Sequence, residues 1–444
     1  AFVSNEIIVR FNAGVSSASQ TSALSGAGCQ NMGSLSLASN LTLARVTSGQ
    51  TVSSTIATLN ANSNVAYAEP NYIVTAQVVP NDPLFPDLWG LDNIGQTGGT
   101  PDADIDGPEA WDVQTGTRVV VAVIDSGLDY DHEDIVGNVW SNPGEIPNNG
   151  IDDDNNGFID DDKGWDFANN DNDPFDDNRH GTHVSGTIAA VGNNAIGVTG
   201  VNWSAQIMPL KFLDATGAGT TANAIRAIEY ATMMGAPVSN NSWGGGAFSQ
   251  ALFDAIAAAG AAGQTFVAAA GNDGVNTDVT PSYPASYDLA NIISVAATDD
   301  NDLLATFSNF GLISVDLGAP GVDILSTTPP AAAGGGGMGG MGGMGGGMGG
   351  GGGAPAPAPG VSTYTSLSGT SMAAPHVTGA VALVLAGNPG ATVAEVRNTI
   401  LSSTDLIAAL AGLTVTGGRL NAAAAVSTGG QVITVAPNTA TVIV

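Results

Sequence analysis

Short strand-like runs punctuate the middle of the chain, four of them strongly apolar (119–124, 206–210, 265–270 and 292–296) and a fifth more polar, at 238–241. They are too short for buried helices and are flanked by glycine or polar turns, so they read as strands buried on both faces. Between them 221–234 and 250–262 place apolar residues at helical spacing, and 392–401 does so again near the end. Strand and helix in alternation predict an α/β fold on a doubly wound, mostly parallel sheet.

The N-terminal part follows a different rhythm. Strands at 6–11, 34–37, 41–46 and 65–74 interleave with helices at 15–24 and 52–60. This βαββαβ order predicts a small α+β, ferredoxin-like domain. The expected division is therefore 1–78, 79–430 and a β-prone tail over 431–444. Inside the second domain, 334–353 holds sixteen glycines and four methionines, and alternating Ala-Pro follows to Pro359. Glycine loses the most backbone freedom on ordering and offers nothing to bury, so 334–359 is expected to be a flexible insertion.

Candidate chemistry enters at Gly369-Thr370-Ser371-Met372-Ala373-Ala374-Pro375-His376, a small, turn-competent segment running into an apolar helix. It sets Ser371 at a helix start, where free amides and the helix dipole favour an alkoxide-like oxygen. Serine needs a base and an orienting carboxylate. Four histidines are available. His376 reads as a helix residue and His132 lies in a charged loop, whereas His180-Gly181-Thr182-His183 opens another helix. With small residues around it, His183 is the expected base. The run 119–124 ends in Asp125, and catalytic groups in open α/β sheets collect at such strand ends. Asp125 is the expected orienter.

The order Asp125, His183, Ser371, with these local motifs, resembles the subtilisin-like serine peptidases (subtilases) over nearly the whole chain. The resemblance implies a serine endopeptidase made as a self-processing zymogen. It makes the N-terminal domain a propeptide, chaperone and temporary inhibitor, cut between Ile73 and Pro83. Asn272 resembles the family's side-chain oxyanion donor. Ser242, Trp243 and Gly244 resemble one wall of the substrate cleft, Ala269, Ala270 and Gly271 another, and Ser282 the pocket floor; small walls imply an apolar side chain before the scissile bond. The segment 418–422 resembles the family's closing helix. Intact Asp125, His183, Asn272 and Ser371 argue against a catalytically silent binding protein.

Composition narrows the partners. Nine Lys plus Arg against forty Asp plus Glu give a net charge of −31, which disfavours nucleic acid and anionic membranes. No run of eighteen apolar residues is present, so no membrane span is expected. The lone Cys29 excludes an intramolecular disulfide and leaves bacterial secretion and the cytosol both open. A secreted monomer acting on polypeptides is expected, its signal segment not part of this sequence.

Sixteen of the forty acids fall between Asp129 and Asp177, with Lys163 the one lysine or arginine among them. Such crowding calls for cations or solvation. Asp152, Asp154, Asn156 and the carbonyl of Phe158 follow the opening of an EF-hand-like Ca2+ loop. Its twelfth position is Lys163, so Asp160 or Asp161 must replace the usual glutamate. Asp166, Asp171 and Asp173 resemble a calcium loop of thermostable subtilases. Asp134 and Asn194, with the carbonyls of Gly192, Ile196 and Val198, resemble the family's high-affinity calcium site, to which Asp82 could add a ligand. One to three structural Ca2+ ions are thus expected.

Overall fold

In the N-terminal unit the alternation seen at 6–11 extends to a ten-residue strand, β1 (Phe2–Phe11), whose inward residues Ile7, Val9 and Phe11 are buried. It is followed by α1 (Ser17–Gly26), β2 (Cys29–Ser34), β3 (Leu41–Val46), α2 (Val52–Asn60) and β4 (Val65–Tyr72). Both helices begin at hydroxyl caps: Ser16 accepts from the Ser19 N–H and Thr51 from the Ser54 N–H. The sheet is antiparallel in the order β2-β3-β1-β4, the ferredoxin-like arrangement. The second strand lies earlier than its expected 34–37. It is an edge strand with only Cys29 buried, so it carries no alternation to read.

The computed structural model describes residues 2–35, 40–47, 49–72, 78–330 and 363–428. Leu37, residues 73–77 at the start of the expected cleavage segment, the Gly/Met/Pro tract and the C-terminal tail lie outside the described residues. By contact density the chain divides into Ala1–Ala76 and Gln77–Val444.

The second unit is built on a nine-stranded sheet. In chain order its elements are α3 (Gly107–Val113), β5 (Val120–Asp125), β6 (Trp165–Asp166), α4 (His180–Ala189), β7 (Gln206–Lys211), α5 (Thr221–Met233), β8 (Val238–Asn241), α6 (Gln250–Ala261), β9 (Thr265–Ala269), β10 (Ile292–Thr298) and β11 (Leu317–Pro320). Then come β12 (Ile324–Thr328), β13 (Thr363–Leu367), α7 (Thr370–Gly387), α8 (Val393–Ser402), β14 (Asp405–Leu406), β15 (Gly418–Arg419) and α9 (Ala422–Thr428). The strands lie in the order β14-β15-β11-β10-β9-β8-β5-β7-β6, all parallel except the edge pair β14–β15. The expected closing helix at 418–422 is a strand, β15, with the helix starting only at Ala422. Gly418 and Arg419 continue the sheet edge beside β11, and tertiary pairing overrides local propensity there.

Chain order reverses at β5, which has β7 on one side and β8 on the other. Clefts in open parallel sheets form outside the carboxyl ends at such a reversal. Helix α7 packs under the sheet; its window is long and apolar enough to cross a bilayer, yet 83% of it is buried and it serves as a core helix. The antiparallel pair β12–β13 lies against α4.

Candidate active site

Asp125 is the last residue of β5 and is fully buried. Its Oδ1 accepts from the Ser126 N–H at 2.7 Å and lies 2.8 Å from Nδ1 of His180. That distance assigns the proton to Nδ1 and leaves Nε2 of His180 with a free lone pair, the form a general base requires. Burial alone would lower the His180 pKa, but the Asp125 carboxylate outweighs it and raises it above 6.5.

The sequence folds this corner from both sides. His180 is the first residue of α4 and follows Arg179, which is held at φ +92° in the left-handed region. The carboxylate of buried Asp176 accepts from the N–H groups of Asn178, Arg179 and Thr182 and from the Thr182 hydroxyl, at 2.7 to 3.0 Å. It thereby satisfies two of the orphan donors at the helix start, those of Arg179 and Thr182. The same carboxylate accepts from Ser126 Oγ at 2.8 Å, and Ser126 Oγ accepts from the Gly181 N–H at 2.9 Å. Asp176 and Ser126 thus fasten the helix carrying His180 to the strand carrying Asp125. Lys211, at the end of neighbouring β7, is buried. Its ammonium donates to the carbonyls of Ser126 (2.7 Å) and Leu213 (3.0 Å) and pairs with Asp177 at 2.5 Å. Three partners make that buried charge tolerable.

Ser371 is the second residue of α7. Pro375, four residues on, has no N–H to offer the Ser371 carbonyl. Ser242 Oγ fills the gap, donating to that carbonyl at 2.8 Å, while Ser371 Oγ donates to the Ser242 carbonyl at 3.0 Å. Asn272 Oδ1 accepts from the Thr370 N–H (2.8 Å) and the Thr370 hydroxyl (3.0 Å), which fixes the amide's orientation. A Cβ placed on Gly369 would stand 3.5 Å from Asn272 Nδ2 and 3.6 Å from the Ser371 backbone N. Both donors therefore border one small space beside Gly369, as an oxyanion hole requires.

His183, the expected base, does not reach Asp125. It is fully buried one helical turn inside α4, and Nε2 lies 2.9 Å and 3.1 Å from the carbonyls of Ile324 and Thr365. Burial, with the nearby His180 adding to it, pushes its pKa down to about 3. It is a neutral link between α4 and the β12–β13 pair, and the Asp125 partner is His180 instead. The signal that picks out His180 is its place as the first helical residue, at the end facing the strand termini.

The expected cleft residues separate into two groups. A Cβ on Gly244 would lie 3.2 Å from the Tyr283 carbonyl and 3.8 Å from Ser282 Oγ, and one on Gly271 would lie 3.1 Å from that same Ser282 Oγ. Gly244, Gly271 and Ser282 are thus brought together around a space kept open by missing side chains. The side chains of Trp243, Ala269 and Ala270 turn away. Trp243 packs edge-on against Phe212 and Phe266, Ala269 lies in the main core, and Ala270 packs with Ala296 and Val315. Whatever these three offer a substrate comes from their backbone.

The acidic segments also differ from expectation. Asp160, assigned to the EF-hand-like loop, accepts the N–H groups of Asn149 (2.8 Å) and Gly150 (2.9 Å), and Asn156 Oδ1 is taken by the Phe158 N–H at 2.8 Å. Among the described residues the one acidic trio whose oxygens approach within 4.8 Å of one another is Glu145, Asp152 and Asp154. Asp166, Asp171 and Asp173 do not converge: Asp166 accepts from Asn169 and Ala168, Asp171 from the Asp173 N–H, and Asp173 from the Tyr130 hydroxyl at 2.6 Å. Asp134 is fully buried and accepts from Asn194 Nδ2 and the Val198 N–H, both at 2.8 Å. Asp82 accepts the N–H groups of Asn193 and Asn194. Burial, with Asp82 adding to it, raises the Asp134 pKa to about 6.

Two family profiles match the chain: the Subtilase family over residues 116–428 and the fervidolysin N-terminal prodomain over residues 1–71. The chain is 35% identical over 409 residues to a thermophilic serine proteinase of Bacillus sp. (strain AK1), spanning 92% of this chain and 84% of that protein. It is 34% identical over 367 residues to an extracellular protease of Xanthomonas campestris pv. campestris, spanning 78% of this chain and 56% of that protein. Among solved structures, a protease from Pseudoalteromonas arctica superposes with a TM-score of 0.62 at 29% identity, over 79% of this chain and 100% of that one. The chain belongs to the subtilase family, as a serine-type endopeptidase with an N-terminal prodomain.

Proposed function

We propose that the endopeptidase is secreted as a self-processing zymogen and hydrolyses peptide bonds through an acyl-enzyme on Ser371, with His180 as base, Asp125 as its orienter and Asn272 as oxyanion donor. The observation that carries this reading is the 2.8 Å contact between buried Asp125 and His180 at the end of β5, the strand where the sheet order reverses. The Ser371 hydroxyl leaves the Ser242 carbonyl, His180 Nε2 takes its proton, and Ser371 Oγ attacks the substrate carbonyl. The Asn272 amide and the Ser371 N–H hold the oxyanion. His180 then hands the proton to the leaving amine, and water repeats the sequence to free the acid. A medium or large apolar side chain before the scissile bond suits the space bordered by Gly244, Gly271 and Ser282.

Secretion is supported by the likeness to an extracellular protease. Structural calcium is supported at Asp134, whose buried carboxylate has no lysine or arginine partner among the described residues. Asp134 and Asn194 would hold the ion with the carbonyls of Gly192, Ile196 and Val198, and it would supply charge neutralisation and stability rather than chemistry. Replacing Ser371 by Ala tests the whole reading. Peptide hydrolysis, removal of the prodomain and labelling by a fluorophosphonate should all disappear together; self-cleavage persisting in that variant would refute it.

A further inference from the structure

We infer that Glu145, Asp152 and Asp154 form a calcium site that closes the loop 146–151 and shields it and the adjoining acidic turn from proteolysis. Glu145 stands seven residues before Asp152 and outside the spaced aspartates, yet the fold brings one carboxylate oxygen from each of the three residues within 4.8 Å of the others. Oxygen-only ligands with three negative charges suit a hard divalent cation, and a flexible loop suits calcium better than magnesium.

An independent observation comes from Glu145 itself. Its side chain is buried, at 8% exposure, and its two oxygens are used differently. Oε1 accepts the N–H groups of Asp153 (2.9 Å) and Asp154 (3.2 Å), whereas Oε2 is buried and has no hydrogen-bond partner. A buried carboxylate oxygen left without a donor, beside two further carboxylates, is unfavourable unless a cation meets it. Among the described residues no lysine or arginine pairs with any of the three. Lys163, the one lysine or arginine of the acidic segment, pairs with Asp162 at 3.2 Å and lies over the Tyr130 ring.

The surroundings are prepared for a fixed site. Asp154 Oδ2 accepts from Asn142 (3.1 Å) and Asn156 (3.2 Å), and both of those amides also donate to buried Asp161. Asp161 in turn accepts from the Tyr230 hydroxyl on α5. The trio is therefore tied to the core on one side, while the loop on the other exposes Ile146 and Ile151 at 62% and 58%. An exposed loop bearing apolar side chains is a substrate for an endopeptidase, its own included. An ion joining Glu145 to Asp152 and Asp154 clamps both ends of that loop.

The proposal rests on calcium binding by this chain but not on the Asp134 site, and the test separates the two. In the full-length Ser371→Ala background, calcium stoichiometry is measured by titration calorimetry for the parent, Glu145→Gln, Asp152→Asn and Asp134→Asn. Glu145→Gln keeps an acceptor for the Asp153 and Asp154 amides and removes the charge. Glu145→Gln and Asp152→Asn should each bind one ion fewer than the parent, and added elastase should cut within 146–159 at least tenfold faster than in the calcium-loaded parent. The parent's own loop should become equally sensitive in EGTA. Unchanged stoichiometry in both variants, with Asp134→Asn losing an ion, overturns this site and leaves the Asp134 reading standing; a parent that binds no calcium overturns both. If neither variant folds, crystals of the parent grown with calcium decide the matter, by anomalous density among the three carboxylates or its absence.

Discussion

Exchanging the two histidines of α4 for alanine, one at a time, separates base from buttress. His183→Ala removes a fully buried ring and the donor to two carbonyls, those of Ile324 and Thr365. The N–H shared by these two carbonyls of the β12–β13 ladder is worth about 0.5–1.5 kcal/mol, and a cavity of this size costs about 2–3 kcal/mol more. The expected loss is about 2–5 kcal/mol, a large part of the stability of an ordinary domain. Molecules that remain folded should still turn over. A group with pKa near 3 is a weak base at neutral pH, so no step of the reaction depends on it. His180→Ala acts the other way. It removes one charge-assisted bond at a helix end, about 1.5–3 kcal/mol, and lowers kcat by on the order of 10⁴–10⁶ because Ser371 loses its base. The assay is peptide hydrolysis at low temperature, normalised for His183→Ala to sites titrated with a fluorophosphonate, with thermal melts alongside. A hundredfold loss of kcat per titrated site in His183→Ala, or a tenth of parental turnover surviving in His180→Ala, would refute the assignment.

The acid limb of kcat/KM should lie above pH 6.5, because the base must be neutral and Asp125 holds the His180 pKa raised; Asp125→Asn should move that limb downward while lowering kcat. Asn272→Leu should cost on the order of 10²–10³ in kcat with little change in KM, the scale established for this donor in subtilisin; a loss confined to KM would count against the oxyanion role. Asp106 has its pKa raised to about 7 by burial, with the Asp104 and Asp405 carboxylates adding to it. A raised carboxyl stabilises the fold while protonated and loses that contribution as pH rises from its unfolded value of 3.8 toward 7. Asp106→Asn keeps the bond from Asn421 and tolerates the left-handed φ of +56°, so its melting-temperature advantage over the parent should widen between pH 4 and pH 7 and then level off.

Much of this architecture could be read from hydrophobic pattern alone, because buried parallel strands and amphipathic helices leave strong local signatures. The runs at 238–241 and 265–270 fall on β8 and β9 almost residue for residue. What escaped the sequence was set by partners distant along the chain. Gly418 and Arg419 are a strand because β11 is beside them, and Cys29–Ser34 buries too little to show an alternation. The acidic segment departs from its spacing for a related reason. Spacing sees Asp152, Asp154 and Asp160 as one series, while the turn through Gly150 draws Asp160 toward the amides of Asn149 and Gly150, and the carboxylates that approach one another are those of Glu145, Asp152 and Asp154.

The choice between His180 and His183 shows what a periodicity reading lacks. Both lie in a loop-to-helix motif, and the small residues around His183 suggest a protected catalytic position. Those residues report burial: every position of α4 from Gly181 to Ala189 is buried, and the helix end is where access remains. A step of three residues along a helix moves a side chain about 4.5 Å along the axis, away from the strand termini where Asp125 ends β5. Ser371 obeys the same rule as the second residue of α7, while His376, one turn deeper, is buried with its pKa lowered to about 4. In a sheet of this kind the first residues of a helix meet the cleft and the next turn meets the core. Depth from the helix start therefore discriminates a base from a buried histidine, where the composition of the surrounding segment cannot.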